Sequence, residues 1–334
     1  MSSQIQVPKT MKAIQVDKPG GPEVNVLREI PVPTPKEDEV LVKVQWTGVN
    51  YIDNYFRQGL YPKEFPYTVG GDAVGTLVST PSNSKYKAGQ RIFTTAGSSF
   101  AEYLVAPTSR IAVLPDDIDA RDGVSMGTQA LTALYLLKES YEVKKGDWIL
   151  VRAAAGGVGL ILIQIAKYLG VNVIGTVSTP DKAELAKQYG ADHVVLTTTP
   201  SADNVAEINK LSGGGVHAVY DGVGKDTWEE NFELIRRKGT IVTYGNASGP
   251  VPSFAPLKLS PKSLKVTRPS LFSVISTAEE YEWYTTELVK IVRDGKIKFA
   301  VHKEYELTAE DVAQAQKDIA SRGTTGKLLV HVSD

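Results

Sequence analysis

Between Ile149 and Gly170 the chain reads ILVRAAAGGVGLILIQIAKYLG, an apolar run, a knot of small residues, then a long apolar segment closed by glycine. The stretch reads as a strand, a sharp turn and a buried helix. A turn without bulky side chains lets the backbone approach a ligand, and the helix start offers free N–H groups and partial positive charge. That combination suits a phosphate. Ala154, Gly156 and Gly159 fall on the three positions of G-x-G-x-x-G, with alanine in the first place, and Gly157 and Val158 complete the turn. Inside a strand–helix–strand run this is the dinucleotide-binding pattern. A plain tight turn is the alternative. No Lys-Ser or Lys-Thr follows the glycines, which argues against a kinase-type phosphate loop.

The surroundings supply that run. DWILVRA, VNVIGTV, GVHAVYDGV and TIVTYGN read as strands, alternating with helices over GGVGLILIQIAKYL, STPDKAELAKQYG and DTWEENFELIRRKG. In the second of these helices Thr179 is the expected cap, Pro180 opens the first turn and Gly190 stops it. Such alternation makes a parallel, doubly wound sheet. The first third is different, with EVLVKVQWTGVN, AVGTLVST, QRIFTT and AEYLVAP as short strands broken by Gly and Pro. QALTALYLLKES has helical spacing and marks the change near Gly127. After LKVTRPS come two helices, TAEEYEWYTTELVKIVRDG and TAEDVAQAQKDIASR, around the strand KFAVHKEYEL, then a last strand GKLLVHV that is expected to return to the first unit. The expected division is 1–126 for a β-rich domain, 127–267 for the dinucleotide-binding domain and 268–334 for the return. The fold class is α/β.

Composition excludes several chemistries. The chain of 334 residues has no cysteine, so disulfides, thiolate nucleophiles and zinc sites needing a Cys ligand are ruled out. The four histidines are scattered, with no second histidine or carboxylate at H-E-x-x-H spacing, so no metal site is expected. A net charge of −1 gives no general attraction to nucleic acid or membrane. No apolar run reaches the roughly 20 residues of a membrane span. MSSQIQVPKT reads as a loose tail without signal-peptide organisation. The cysteine-free chain fits a reducing compartment, the cytoplasm, with the nucleus also open.

The end of the second strand of the dinucleotide unit discriminates between cofactors. An NAD site places Asp or Glu there for the ribose hydroxyls, and that carboxylate repels a 2′-phosphate. Here GTVSTPDK has no acid between Gly175 and Pro180; Ser178 and Thr179 are hydrogen-bond donors and Lys182 brings a positive charge one turn away. The composition of this corner suits NADPH. A solvated surface role for Lys182 is the bland alternative, and Asp181 weakens the case if it points inward.

Taken together, AAAGGVG, GVNYIDNYFRQGLYP, GGDAVG, YDGVGKDTWEENFELIRRKGTIVTYGNASG and VTRPSL resemble the zeta-crystallin type of NADPH:quinone oxidoreductase, a zinc-free branch of the medium-chain dehydrogenase/reductase superfamily. The resemblance runs from Met11 onward. It implies a GroES-like β-rich catalytic domain interrupted by a Rossmann cofactor domain, NADPH as cofactor, a quinone as substrate and a homodimer. Where zinc-dependent relatives carry their catalytic ligands, this chain has Asn50, Gly71 with Asp72, and Thr128. Zinc therefore cannot serve as Lewis acid, and an acceptor that is already electron-poor is the suitable substrate. The resemblance places Asn50, Asp53 and Tyr55 beside the nicotinamide and Tyr61 in the acceptor pocket; a helix-start turn capped by Asn and Asp is the bland alternative for Asp53. It adds Thr132, Gly222, Val223, Tyr244, Gly245, Asn246, Arg268, Ser270 and Arg322 as cofactor contacts, Arg322 near the adenosine phosphate. Some relatives carry a tyrosine where this chain aligns Thr197. Reduction of α,β-unsaturated carbonyls is the alternative activity. Some relatives are associated with AU-rich RNA, for which the only local support is the basic clusters Arg236–Lys238 and Lys258–Arg268; solvated faces explain such clusters more often.

Overall fold

The computed structural model describes residues 6–198 and 201–333; of the expected N-terminal tail, residues 1–5 lie outside the described residues. Contacts divide the chain into Met1–Thr128, Thr277–Thr285 and Val301–Asp334 as one unit, and Gln129–Ser276 with Thr286–Ala300 as the other. The division passes through one long helix and gives residues 286–300 to the second unit.

The first unit opens with β1 (Thr10–Val16), β2 (Val26–Pro31) and the long β3 (Glu39–Val49), followed by α1 (Tyr51–Arg57). Then come β4 (Tyr67–Thr68), β5 (Asp72–Ser79), β6 (Arg91–Thr94), β7 (Tyr103–Pro107), β8 (Ile111–Val113) and α2 (Ala120–Ser125). β3 is the organiser: it pairs antiparallel with β5 and β7, and its buried residues face the core. Antiparallel strands with one wet face explain the Val-rich alternation seen in the sequence.

The second unit holds α3 (Leu131–Tyr135), β9 (Trp148–Val151), α4 (Gly157–Tyr168), β10 (Asn172–Val177), α5 (Pro180–Gln188), β11 (His193–Leu196), α6 (Ser201–Leu211), β12 (Val216–Asp221), α7 (Trp228–Leu234), β13 (Ile235–Thr243), β14 (Lys265–Thr267) and α8 (Leu271–Val274). Its six strands are all parallel in the order β11-β10-β9-β12-β13-β14. This is the Rossmann order, which reverses direction between β9 and β12. α4 buries Leu160 to Ile163, Ile165 and Ala166, as an almost wholly apolar helix must. Thr179 caps α5, with Pro180 in its first turn.

The sequence pattern misjudges one place here. The helix expected over DTWEENFELIRRKG stops at Leu234, and Ile235 already pairs with Val216 in the sheet. The bulge that follows places Lys238 at φ 65°, where a helix cannot continue. Lys262, distant in sequence, donates to the carbonyls of Phe232 (2.8 Å) and Ile235 (2.8 Å), and so caps the end of α7. The helix expected over QALTALYLLKES is present, as α3 with wider, π-type turns on either side and a kink ahead of it at Gly127.

After α9 (Ala278–Asp294) the chain forms β15 (Val301–Glu306), α10 (Ala309–Ala320) and β16 (Lys327–His331). β16 pairs with β3 on one side and β15 on the other, so the C-terminal strand lies inside the seven-stranded sheet of the first unit. Leu328, Val330 and Val312 share a core with Ile14, Val16, Val49 and Phe100. At about 1.5–3 kcal/mol for each large apolar side chain, that core ties the last 30 residues to the first 100. Among the described residues no helix is long and apolar enough to cross a membrane.

Candidate active site

Every cofactor-side motif of the second unit leaves the sheet from the carboxyl end of a parallel strand. The turn 152–159 follows β9, Ser178 to Lys182 follow β10, Gly222 and Val223 follow β12, Tyr244 to Asn246 follow β13, and Arg268 and Ser270 follow β14. In open α/β sheets this rim is where ligands bind. Thr132 lies buried in α3 of the same unit.

The glycine turn is fixed by close approach of backbone to backbone. A Cβ on Gly159 would stand 2.6 Å from the Ala153 carbonyl oxygen and 2.7 Å from that of Ala154, so the third glycine of the motif has no substitute. The residue with positive φ is Ala153, at 50°, and Ala154 is not among those with positive φ. Ala154 is fully buried; its N–H donates to Thr176 (3.1 Å), and a Cβ on Gly175 would lie 2.7 Å from its methyl. Alanine is therefore accepted in the first position because Ala153 makes the turn and Gly175 makes the room. Gly156 begins α4 with no side chain capping it, which leaves the helix start open to a ligand's phosphate.

At the end of β10, Ser178, Thr179 and Asp181 are exposed and Lys182 is half-buried. The Thr179 hydroxyl accepts from the Lys182 N–H (3.4 Å), and burial lowers the Lys182 ammonium below the usual lysine range. An anion beside it would reverse that shift. The loops after β12 and β13 are laced together: Tyr244 N–H donates to Asp221, Ala247 N–H to Gly222 and Ser248 N–H to Val223. The Tyr244 ring lies over Gly222, where a Cβ would be 3.0 Å from it, and burial raises the Tyr244 hydroxyl above the ordinary tyrosine range. Arg268 donates to Thr243 (3.2 Å) and to the Gly245 carbonyl (3.1 Å), so it clamps the end of β13.

A network that the sequence reading missed supports this rim. Asp221 is fully buried; its Oδ1 accepts from Val223 N–H (2.7 Å) and Gly224 N–H (3.1 Å), and its Oδ2 from Thr227 (2.6 Å) and Asn231 Nδ2 (2.6 Å). Asn231 Oδ1 in turn accepts from Arg152 Nε (3.1 Å) and Nη2 (3.0 Å), and Arg152 pairs with Glu230 at 2.5 Å. Arg152 is the residue just before the glycine turn. The loop after β12 and the turn after β9 are thus held by one buried chain of charges and amides. The basic clusters are also partly committed within this unit: Arg236 contacts His217, Lys258 pairs with Glu229 and lies over the Phe232 ring, and Lys262 caps α7.

In the first unit the register of the sheet gathers the other candidates. Gly48 of β3 stands opposite Asp72 of β5, and Val49 opposite Leu328 of β16. Asn50, one residue on, meets both neighbours: its Nδ2 donates to Asp72 Oδ1 (3.0 Å) and its Oδ1 accepts from Lys327 Nζ (2.8 Å). Lys327 Nζ also lies 3.1 Å from Asp72 Oδ2, and neither of these side chains is exposed at all. Asp53 accepts from the Asn50 N–H (2.7 Å) at the start of α1, so the helix-start role is present whatever else Asp53 does. A Cβ on Gly71 would lie 3.6 Å from Asn50 Nδ2, 3.8 Å from Asp53 Oδ1 and 4.0 Å from Thr128 Oγ1. The positions aligned with zinc ligands in the sequence do converge, but on an amide, a glycine with the Asp72 carboxylate beside it, and a threonine. Among the described residues no group of three or more His, Cys, Asp or Glu is placed to hold a metal.

Tyr55 and Tyr61 meet edge to face with centroids 5.3 Å apart, joined by Tyr51 (5.8 Å from Tyr55) and Phe56 (5.9 Å from Tyr61). The Tyr61 N–H donates to the Tyr55 carbonyl (3.3 Å), which holds the two on one tight turn. Arg322 is exposed, with φ 60°, and its charge is felt at Tyr51.

Burial raises the Asp53 carboxyl to about 7; Asp72 adds to the rise, while the Asn50 N–H and Lys327 oppose it. A carboxyl raised on folding stabilises the protein fully below its unfolded pKa, near 4, and that contribution is lost as pH climbs through 7. Wild type is expected to lose about 2–3 kcal/mol between pH 5 and pH 8 that Asp53→Asn does not lose. Urea unfolding of both at the two pH values measures the difference; equal losses would refute the assignment.

The comparisons agree with this geometry. Residues 157–290 match the family model described as zinc-binding dehydrogenase, and residues 36–116 match the alcohol dehydrogenase GroES-like domain. A quinone oxidoreductase of Pseudomonas aeruginosa is 38% identical over 96% of this chain and 99% of its own. The 2-haloacrylate reductase of a Burkholderia species is 33% identical over 95% of this chain and 98% of its own. The crystal structure of Escherichia coli quinone oxidoreductase complexed with NADPH superposes with a TM-score of 0.91 at 37% identity, covering 96% of this chain and 99% of that one. With that likeness over nearly its full length, on an alcohol-dehydrogenase frame whose ligand positions hold no cysteine or histidine, the chain belongs to the quinone oxidoreductase family.

Proposed function

We propose that this oxidoreductase reduces quinones with NADPH, without a metal, and that its two sets of candidate residues divide the work. The observation that carries the reading is the strand-end rim of the second unit, where a backbone-walled turn opens α4 and the β10 corner offers hydroxyls and a lysine in place of a carboxylate. The turn at Ala154, Gly156, Gly157, Val158 and Gly159 would hold the pyrophosphate, and Ser178, Thr179 and Lys182 the 2′-phosphate. Tyr244, Gly245, Asn246, Gly222, Val223 and Thr132 would take the nicotinamide end, with Arg268, Ser270 and Arg322 as further contacts. Bound NADPH supplies a hydride; one proton from water then completes the hydroquinone. The chain's own residues orient and exclude water: Tyr55 and Tyr61 present aromatic edges and hydroxyls to a flat acceptor, and Asn50 and Asp53 fix the start of α1 behind them. Positioning of this kind supplies most of the acceleration for an acceptor that needs no Lewis acid.

The test is disappearance of reduced cofactor with a panel of quinones and alkenals, using NADPH and NADH in turn. Turnover of quinones with NADPH at a kcat/KM well above the alkenals supports the reading. A large excess for the alkenals or haloacrylates, which the Burkholderia relative's name favours, would replace it with enone reduction. Lys182→Glu is expected to weaken NADPH binding at least tenfold, about 1.4 kcal/mol, with NADH changed less than threefold. Equal loss for both cofactors would remove Lys182 from the phosphate corner.

β14 is an edge strand of its sheet, and pairing of two such edges is the basis for a proposed homodimer. Sedimentation equilibrium decides it, a monomer at micromolar concentration being the contrary result.

A further inference from the structure

The first unit buries a complete positive charge that the proposed reaction does not use. Lys327 and Asp72 are both fully shielded from solvent. Taking two charges out of water costs several kcal/mol each, so a pair of this kind is retained only when its geometry repays the cost. Here the geometry extends beyond the pair. The ammonium reaches Asn50 Oδ1 at 2.8 Å and both Asp72 oxygens at 3.4 and 3.1 Å. The other Asp72 contacts are Asn50 Nδ2 (3.0 Å) and the Thr128 N–H (3.0 Å). Glycine 48 makes the space: a Cβ there would fall on Lys327 Cε and only 2.5 Å from Nζ. The ammonium therefore lies among the three chain positions where the sequence resemblance finds metal ligands in zinc-dependent relatives, on a stem that cannot dissociate.

We infer that Lys327 is a positioning residue, a tethered cation that locks the Asn50 carboxamide in one orientation and balances the charge of Asp72 behind Asp53. Both Asn50 Nδ2 hydrogens are directed inward, to Asp72 and to the Gly48 carbonyl (3.3 Å), so its orientation is decided by where the ammonium sits. Asp53, bonded to the Asn50 N–H, is the group through which the cation acts on α1 and its tyrosines. The charged and titratable groups around Asp53 are Lys327 on β16, Asp72 on β5 and Tyr67 on β4, with Arg57 beside Tyr67 on the same helix. Lys327 favours the ionised Asp53 and Asp72 disfavours it. Removing one or the other must then move Asp53 in opposite directions, and a role confined to stability would leave kcat unmoved.

The inference rests on the proposed reaction for its kinetic readout only. Full-length Lys327→Met, Asp72→Asn and the double variant are compared with wild type. The kinetic measurements are kcat and KM for a quinone from pH 5 to 9 and NADPH affinity by fluorescence. The third measurement is urea stability across the same pH range, with Asp53→Asn as reference. Lys327→Met is expected to lower kcat about tenfold, to leave NADPH affinity within twofold, and to move the Asp53 transition up by about one pH unit. Asp72→Asn should move it down, and the double variant should return it close to wild type. Removing both charges leaves no unpaired ion, so the double variant keeps the comparison alive if Lys327→Met fails to fold. Unchanged kcat in folded Lys327→Met, or an unmoved Asp53 transition, would overturn the inference. If wild type turns over no quinone, the reaction is wrong, and the direction of the Asp53 shifts in the stability data still judges Lys327.

Discussion

Gly159→Ala is expected to lower NADPH affinity about 100-fold or more, about 2.7 kcal/mol, and to destabilise the protein by about 1–3 kcal/mol. The new methyl would meet two carbonyl oxygens at 2.6 and 2.7 Å and a backbone carbon at 2.9 Å. None of these is the movable end of a side chain, so the turn itself must open. Opening it pulls the start of α4 away from β9, and the N–H groups that should converge on a pyrophosphate no longer do. Gly156→Ala is the control for stability. Its φ of −76° suits any residue, and its Cβ would meet only the Ala153 oxygen, at 3.2 Å. Fluorescence titration with NADPH and urea unfolding of both variants give the comparison. Wild-type NADPH affinity in Gly159→Ala, or equal stability losses in the two variants, would mean that the third glycine does not set the phosphate turn.

The second large effect concerns Asp221. Asp221→Ala strips an acceptor from four donors at once, two of them backbone N–H groups in the loop after β12. It also leaves the buried Asn231 Nδ2 without its acceptor, and Asn231 is the amide that orients the Arg152 guanidinium. Breaking a buried network of this kind costs about 3–5 kcal/mol, enough to lower the unfolding midpoint markedly. Asn231→Ala alone should cost less, because Asp221 keeps its backbone donors. The double variant should fall short of the sum of the single losses, as it must for residues in one network. Additive losses would show that Asp221 and Asn231 act separately. Where the double variant remains folded, its NADPH affinity reports whether the network also holds the rim.

Much of the second unit was legible in the chain itself. A strand, a small-residue turn and an apolar helix repeat a local grammar, and each step is decided by residues within about a dozen positions. The Thr179 cap, the Gly190 stop and the acid-free end of β10 needed no tertiary information. The end of α7 did. IRRKG has residues that suit a helix, and only pairing of Ile235 with Val216, with Lys262 folded back on the last carbonyls, turns it into a strand. Arg152 likewise reads as an ordinary charge at a strand end until Asn231 and Asp221 close around it.

The first unit shows the limit more sharply. Asn50, Asp53, Tyr55 and Tyr61 lie within twelve residues, and their grouping could be read from one short segment. Lys327 could not, because it is 277 residues from Asn50 and looks like any lysine ahead of an apolar strand. What the sequence determined by itself was the strand–helix alternation of the second unit, the place of the phosphate turn and the loss of every cysteine and histidine ligand, since these depend on local pattern and on which side chains exist. What only the tertiary structure decided was where a buried charge finds its counter-charge. Sheet register brings residues 50, 72 and 327 to one point, and the cost of burying an ion unpaired makes that meeting obligatory once the strands align.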